Sequence, residues 1–293
     1  MLHRVMLAPR RRGVCPHLDR AVPHARVRHC VVSTYRRFRL TNLRIRVEPA
    51  VILLHPVGLD GSFWCDLRAR LEQRFVVIAP DLAGHGDKGE PSRPGRMSDR
   101  VGEVVALIES MSCKSASLVG VSFGGMIAQQ VALARPDLVS AMVLAGCPGR
   151  IPLEARGAIL KRGGDAEAGG MAAVAEETLE RWFTKGYLST GEVARVRERL
   201  LSDSPSGWAA AWEAIAEHDA LDRLRATSIP TLVVAGEKDL ATPLEAKRAL
   251  AAAIPGSRLE ILPEAPHMMQ IECAAAFTQV VGDFLDQCRE GRQ

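Results

Sequence analysis

The sequence predicts an α/β protein with a mostly parallel sheet flanked by helices and a helical insertion. Three observations predict it. From Ala50 onward, short uninterrupted apolar runs alternate with longer segments of helical spacing. The alternation stops between Cys147 and Ile229, where the chain reads as helix throughout, and it resumes at Thr231 as though one sheet had been interrupted. Continuous apolar strands separated by helices belong to parallel sheets covered on both faces. With 293 residues and 47% apolar content, the chain can bury such a core.

Strands are read at Val51–His55, Phe75–Ala79, Leu118–Val121, Ala141–Gly146, Thr231–Gly236 and Arg258–Leu262. Spacing near three to four predicts helices over Phe63–Glu72, Asp99–Ser110, Phe123–Ala134 and Pro243–Ala253, with a last one from about Glu272 to Cys288. The core is therefore expected over 47–147 and 229–293. Residues 148–228 are expected to form a helical cap over the carboxyl ends of the strands. Within the cap, Gly163–Gly164, Gly169–Gly170 and the S-D-S-P-S-G run from Ser202 to Gly207 read as helix breakers. The Gly- and Ala-rich stretch 161–175 suggests loose packing.

The formal charge of +4 hides an asymmetry. Residues 1–46 hold twelve arginines and one acid, Asp19, which leaves 26 basic and 33 acidic side chains, a net of −7, for the rest. The body is mildly acidic, so a nucleic-acid partner is not expected. The basic segment lacks the apolar stretch of a secretory signal, and no apolar run follows Arg36 and Arg37 as a twin-arginine signal requires. It is read as a poorly ordered extension, with a transit segment or an over-long start as alternatives. No window of 18 apolar residues indicates a membrane span. The seven cysteines are scattered without C-x-x-C or zinc spacing. Cys65, Cys113, Cys147 and Cys273 are therefore expected as buried thiols in a reducing cytoplasm, with no metal and no cofactor.

The chemistry centres on G-V-S-F-G, in which Ser122 follows an apolar strand and opens a helix. A G-x-S-x-G in that context predicts a sharp turn that lifts the serine hydroxyl clear of the backbone. The Phe123 amide, at the helix N-terminus, then points at the same spot and can hold a developing oxyanion. A serine needs a base, and in this strand-turn-helix arrangement the partners follow in the order Ser, acid, His. Asp239 lies just past the Thr231–Gly236 strand, and His267 just past Arg258–Leu262. Glu237 is an alternative acid, closer to its strand. His218, in the acidic run E-H-D, reads as a solvated or capping residue, and His85 as a loop-fixing one.

The loop H-P-V-G-L-D, the P-D-x-x-G-H-G run, G-x-S-x-G and the late Asp and His resemble, in order and spacing, the α/β-hydrolase fold from Ala50 to the end. That resemblance implies the backbone amides of Val57 and Phe123 as oxyanion donors. Pro56 stands where glycine is usual, but it removes only its own amide. A narrower resemblance is to the 3-oxoadipate enol-lactonase group, carried by H-P-V-G-L-D-G-S-F-W, L-E-R-W-F-T and A-G-E-K-D-L-A-T-P. It departs where that group often has a tryptophan before an arginine, because Leu153 precedes Arg156 here. The expected activity is cofactor-free hydrolysis of a small ester or lactone. Arg156, Arg181 and Lys185 are candidate cations for a carboxylate-bearing substrate, and Trp182, Trp208 and Trp212 are either core anchors or substrate contacts. The alternatives are hydrolysis of a carbon–carbon bond in a ring-cleavage product and a non-catalytic ligand receptor. A homo-oligomer is compatible with all three.

Overall fold

Six apolar segments assemble into one sheet in the computed structural model, which describes residues 49–291. The strands are β1 (Ala50–Leu54), β2 (Val76–Ile78), β3 (Ala116–Val121), β4 (Val139–Ala145), β5 (Thr231–Gly236) and β6 (Arg258–Leu262). All neighbours run parallel, in the order β2-β1-β3-β4-β5-β6. The basic segment 1–46 lies outside the described residues.

Because side chains alternate across a strand, each buried strand supplies two layers at once. Val51, Leu53, Val119 and Val143 pack under helices α1 (Cys65–Leu71) and α11 (Ala274–Glu290). Ile52, Leu54, Leu118 and Leu144 join the opposite layer, with α2 (Met97–Ser110) and α3 (Phe123–Ala134). Covering on both faces is why these strands read as continuous apolar runs. The strand order places a switch point between β1 and β3, and ligands of such sheets bind outside the carboxyl ends of the strands at that point.

Between β4 and β5 the chain forms the helices α4 (Arg156–Gly169), α5 (Ala175–Trp182), α6 (Lys185–Leu188), α7 (Val193–Leu201) and α8 (Pro205–Ala216), with short 3-10 turns and an isolated antiparallel bridge between Arg150 and Asp219. After β5 come α9 (Leu244–Ala253) and the short α10 (Met269–Glu272). Gly163 and Gly164 do not break α4. A Cβ on Gly163 would come 2.9 Å from the Cα of Ala209, so that glycine serves close packing of α4 on α8, whereas Gly164 and Gly170 have open space beside them. Gly169–Gly170 does end α4, and Ser204 with Pro205 starts α8 as an N-cap and first-turn proline.

Two further readings are corrected. Cys65 is exposed at the start of α1, and among the cysteines named above only Cys147 is buried. His218 is not solvated: it is fully buried, and its Nε2 donates to Gln129 Oε1 at 3.2 Å. The hydrophilic residues beside it, Glu217 and Asp219, face outward while His218 turns into the seam with α3.

Helix α3 approaches the sheet too closely for side chains at its first turn. A Cβ on Gly120 would overlap the backbone of Gly124 and Gly125, and one on Gly124 would overlap the carbonyl of Leu54. Gly120→Ala is expected to cost at least about 1–3 kcal/mol through this overlap. The check is a lowered urea midpoint at unchanged m-value.

Candidate active site

Ser122 joins β3 to α3 with φ 52° and ψ −115°, a left-handed conformation that costs a non-glycine residue roughly 1–3 kcal/mol. The sheet holds it there, because its amide donates to Ala145 O at 2.8 Å and extends the β3–β4 ladder by one residue. Its own carbonyl accepts from the Met126 amide at 3.1 Å, which begins the helix. The side chain is thus left at the mouth of the turn, lining a cavity of about 380 Å³.

His267 lines the same cavity from the loop after β6. Its Nδ1 lies 3.0 Å from Asp239 Oδ1. A carboxylate only accepts, so Nδ1 carries the hydrogen and Nε2 keeps the basic lone pair when the ring is neutral. Asp239 Oδ1 also accepts from the amides of Ala241 and Thr242, both at 2.9 Å. The other carboxylate oxygen accepts from Lys247 Nζ at 2.7 Å. Lys247 and the Asp239 carboxylate are fully buried, and the ammonium also donates to Thr242 O at 2.7 Å. Burial alone would raise the Asp239 carboxyl, but the His267 contact and the Lys247 charge outweigh it and hold the group well below the usual carboxylate range. Glu237 plays no part in this cluster: it is exposed and accepts from the Glu264 amide.

Sequence reasoning missed Lys247. Its signal was present, since it lies on the first turns of a helix one element after Asp239, but a lone lysine in an amphipathic helix reads as a surface residue.

On the other side of Ser122, the loop after β1 is pinned by His55. The His55 Nε2 accepts the Leu82 amide at 2.8 Å, and Nδ1 donates to Pro56 O at 2.8 Å. Burial pushes His55 down to about 4, in keeping with a neutral ring that must accept from a backbone amide. Val57, in this loop, is buried and lines the cavity, and Phe123 is buried in the first turn of α3. Neither amide donates to a protein acceptor among the described residues.

The helical insertion closes the cavity from above. Ala158, Ile159 and Arg162 line it from one face of α4, at the spacing of successive turns, and Ala155 lines it from the position just before the helix. Arg156 is one residue round the helix from Ala155 and does not line it; Lys185 is exposed on α6 and does not either. Arg181, Trp182, Trp208 and Trp212 do, and the three tryptophans are buried as well, so they act as core and as wall. Among the described residues no group of three or more His, Cys, Asp or Glu could hold a metal ion, and no helix is long and apolar enough to cross a membrane.

Residues 51–280 match the model of the alpha/beta hydrolase family. The chain is 30% identical over 240 residues to 3-oxoadipate enol-lactonase 2 of Acinetobacter baylyi, covering 80% of this chain and 87% of that one. Among solved structures, the enol-lactonase from Burkholderia xenovorans superposes with a TM-score of 0.78 at 32% identity, covering 83% and 94%. A malate-bound thermophilic esterase from Thermogutta terrifontis does so at 0.77 and 28%, covering 82% and 90%.

Replacing Lys247 by Met should destabilise the fold by roughly 3–5 kcal/mol, since it leaves the buried Asp239 carboxylate without its cation. Chemical denaturation at pH 7 measures it, and the same variant should lose turnover through a misplaced His267. Acid should also weaken the fold in a defined window. Burial lowers His55 and His218 to about 4 and His85 well below its usual value. Below pH 6.5 the unfolded chain therefore takes up protons that the folded chain refuses, and stability falls as pH drops from 6.5 to 4. His55 and His218 each account for roughly 3 kcal/mol over that range. Asp203, raised by burial to about 7, works in the opposite direction and offsets part of the loss. Denaturation between pH 7 and 4.5 should show the net decrease, with a shallower slope in His218→Gln.

Proposed function

Because the chain belongs to the alpha/beta hydrolase family, we propose that it hydrolyses a carboxylic ester or lactone through an acyl-enzyme on Ser122, with 3-oxoadipate enol-lactone as the leading substrate. The observation that carries this reading is the juxtaposition of a strained, cavity-facing serine with a histidine whose Nδ1 is held by a buried carboxylate.

In this mechanism His267 Nε2 takes the proton of Ser122 as the hydroxyl oxygen attacks the substrate carbonyl. Asp239 keeps the ring in the required tautomer and stabilises the imidazolium. The carbonyl oxygen becomes an oxyanion that the amides of Val57 and Phe123 receive; both start without protein acceptors, so the oxyanion displaces no internal hydrogen bond. His267 then returns the proton to the leaving oxygen. For an enol-lactone that oxygen departs as an enol and tautomerises to a ketone, which makes ring opening hard to reverse. Water, deprotonated by the same histidine, attacks the acyl-enzyme, and the acid is released as Ser122 regains its proton.

The enol-lactone reading draws its support from relatives bearing that name that share about a third of their residues with this chain over most of their length. Ser122→Ala and His267→Ala should each lower kcat by about a thousandfold or more. The assay is enol-lactone ring opening beside release of 4-nitrophenol from its acetate. A serine-directed phosphonate should label wild type at Ser122 alone; turnover of both substrates by Ser122→Ala at the wild-type rate would refute the scheme.

A further inference from the structure

The loop that carries the Val57 amide is held at its two ends by the core and in its middle by the helical insertion. At its start the His55 ring bonds the Leu82 amide and Pro56 O. At its end the Gly61 amide donates to Asp81 Oδ1 at 2.9 Å. Between them Gly58, at φ 77°, runs directly under the insertion. A Cβ there would come 2.7 Å from the Trp208 ring, 2.8 Å from Leu200 Cδ1 and 3.0 Å from the Trp182 ring. Asp60, three residues beyond Val57, ion-pairs through Oδ2 with Arg199 Nε on α7 at 2.9 Å. Its Oδ1 accepts the Ser62 amide at 2.8 Å and so caps the following turn.

Arg199 is itself immobilised. One terminal nitrogen donates to Asp203 and the other to Ser202 Oγ, the latter at 2.7 Å. The Arg199 side chain is 13% exposed and that of Asp60 16%, so solvent screens their attraction less than that of a surface pair. The second oxygen of the buried Asp203 faces His85 Nε2 at 3.7 Å, and the His85 ring lies 5.3 Å from that of His55. The insertion therefore reaches the supports of the Val57 loop at its start as well as at its end. A guanidinium held on three sides has already lost its side-chain freedom, so it fixes a carboxylate at little further entropic cost. Elsewhere the insertion is tethered without touching this loop, by Arg93 to Glu167 and Glu213 and by Thr184 to Glu272. Attachment alone does not call for a further ion pair on Asp60.

We propose that Arg199 is a positioning residue for the oxyanion hole: by holding Asp60 it fixes the turn that aims the Val57 amide, so the helical insertion completes the site as well as roofing it. The inference rests on reading Ser122 as the nucleophile of the proposed hydrolase and Val57 as an oxyanion donor. A donor amide acts on charge that develops only in the transition state. Loosening its loop therefore lowers kcat and leaves ground-state binding almost unchanged.

Two variants test it. Arg199→Met keeps the side-chain length and removes the charge, whereas Asp60→Asn keeps a cap for Ser62 and leaves the Arg199–Asp203 contact in place. Each should lower kcat for 4-nitrophenyl acetate by about tenfold or more, with KM changed by less than about threefold. Inhibition by butylboronic acid, whose serine adduct places a hydroxyl where the oxyanion would sit, should weaken by a similar factor. Arg199→Lys should recover part of both, since an ammonium reaches one carboxylate at a time. The double variant should be no slower than the slower single one, because both act on one contact. Hydrogen exchange should quicken in the peptide spanning 56–62 and stay unchanged over 118–126. Melting curves establish that the variants are folded, and Asp60→Asn carries the test if Arg199→Met does not fold. Wild-type kcat in a folded variant, a loss carried by KM alone, or additive effects in the double variant would overturn the proposal. Faster exchange over 56–62 in a protein that turns over no ester would instead overturn the hydrolase reading, leaving Arg199 a clamp with no oxyanion to serve.

Discussion

Helix α3 sits against β1 and β3 at a distance that admits no side chain at Gly120 or Gly124, and the geometry of the whole site follows from that contact. To bring the helix so near, the chain must reverse within one residue, and Ser122 takes up the strain at φ 52°. The same reversal ends the β3 ladder on Ala145 O and leaves the Phe123 amide unbonded beside the serine side chain. Contact with the Leu54 carbonyl also ties the helix to the end of β1, from which the Val57 loop departs. The serine hydroxyl and the Phe123 amide are therefore set by one packing distance, while the hydrogen bonds of His55 hold the loop that carries the Val57 amide.

The second determinant is electrostatic. Asp239 receives His267, Lys247 and two backbone amides, so its charge is satisfied on every side although it is buried. A buried carboxylate held this way cannot rotate, and His267 inherits that rigidity. The helical wall of the cavity shows the contrary pattern at Trp212, whose indole Nε1 is buried without an acceptor. Buried polar groups are almost always paired within a protein, so the unpaired ones facing a cavity describe the ligand as much as the protein.

Much of the sheet was legible from the sequence because strands covered on both faces must be apolar at every position, and such runs stand out. Strands β5 and β6 match the residues read for them, and α3 does so at both ends. The boundaries that moved did so for local reasons: β2 shrinks to three residues at the sheet edge, and the last helix is preceded by the separate turn of α10. Ser122, Asp239 and His267 were legible because each follows a strand, and strand ends are where parallel sheets present side chains. The residues that were not legible share a different property. Lys247, Arg162 and His218 sit in helices of mixed composition, where a charged residue facing inward and one facing water have the same spacing.

The sequence by itself determined the alternation of strands and helices, the turn at Ser122 and the order of its partners, because hydrophobic period and glycine placement act locally along the chain. Only the tertiary structure decided which helical faces look into the cavity. That choice set Arg162 in place of Arg156, paired Asp239 with Lys247 instead of leaving it to His267 alone, and buried His218 against Gln129. Each depends on how one helix is rotated against elements distant in the sequence. Rotation is fixed by the sum of many packing contacts, and no short stretch of sequence contains that sum.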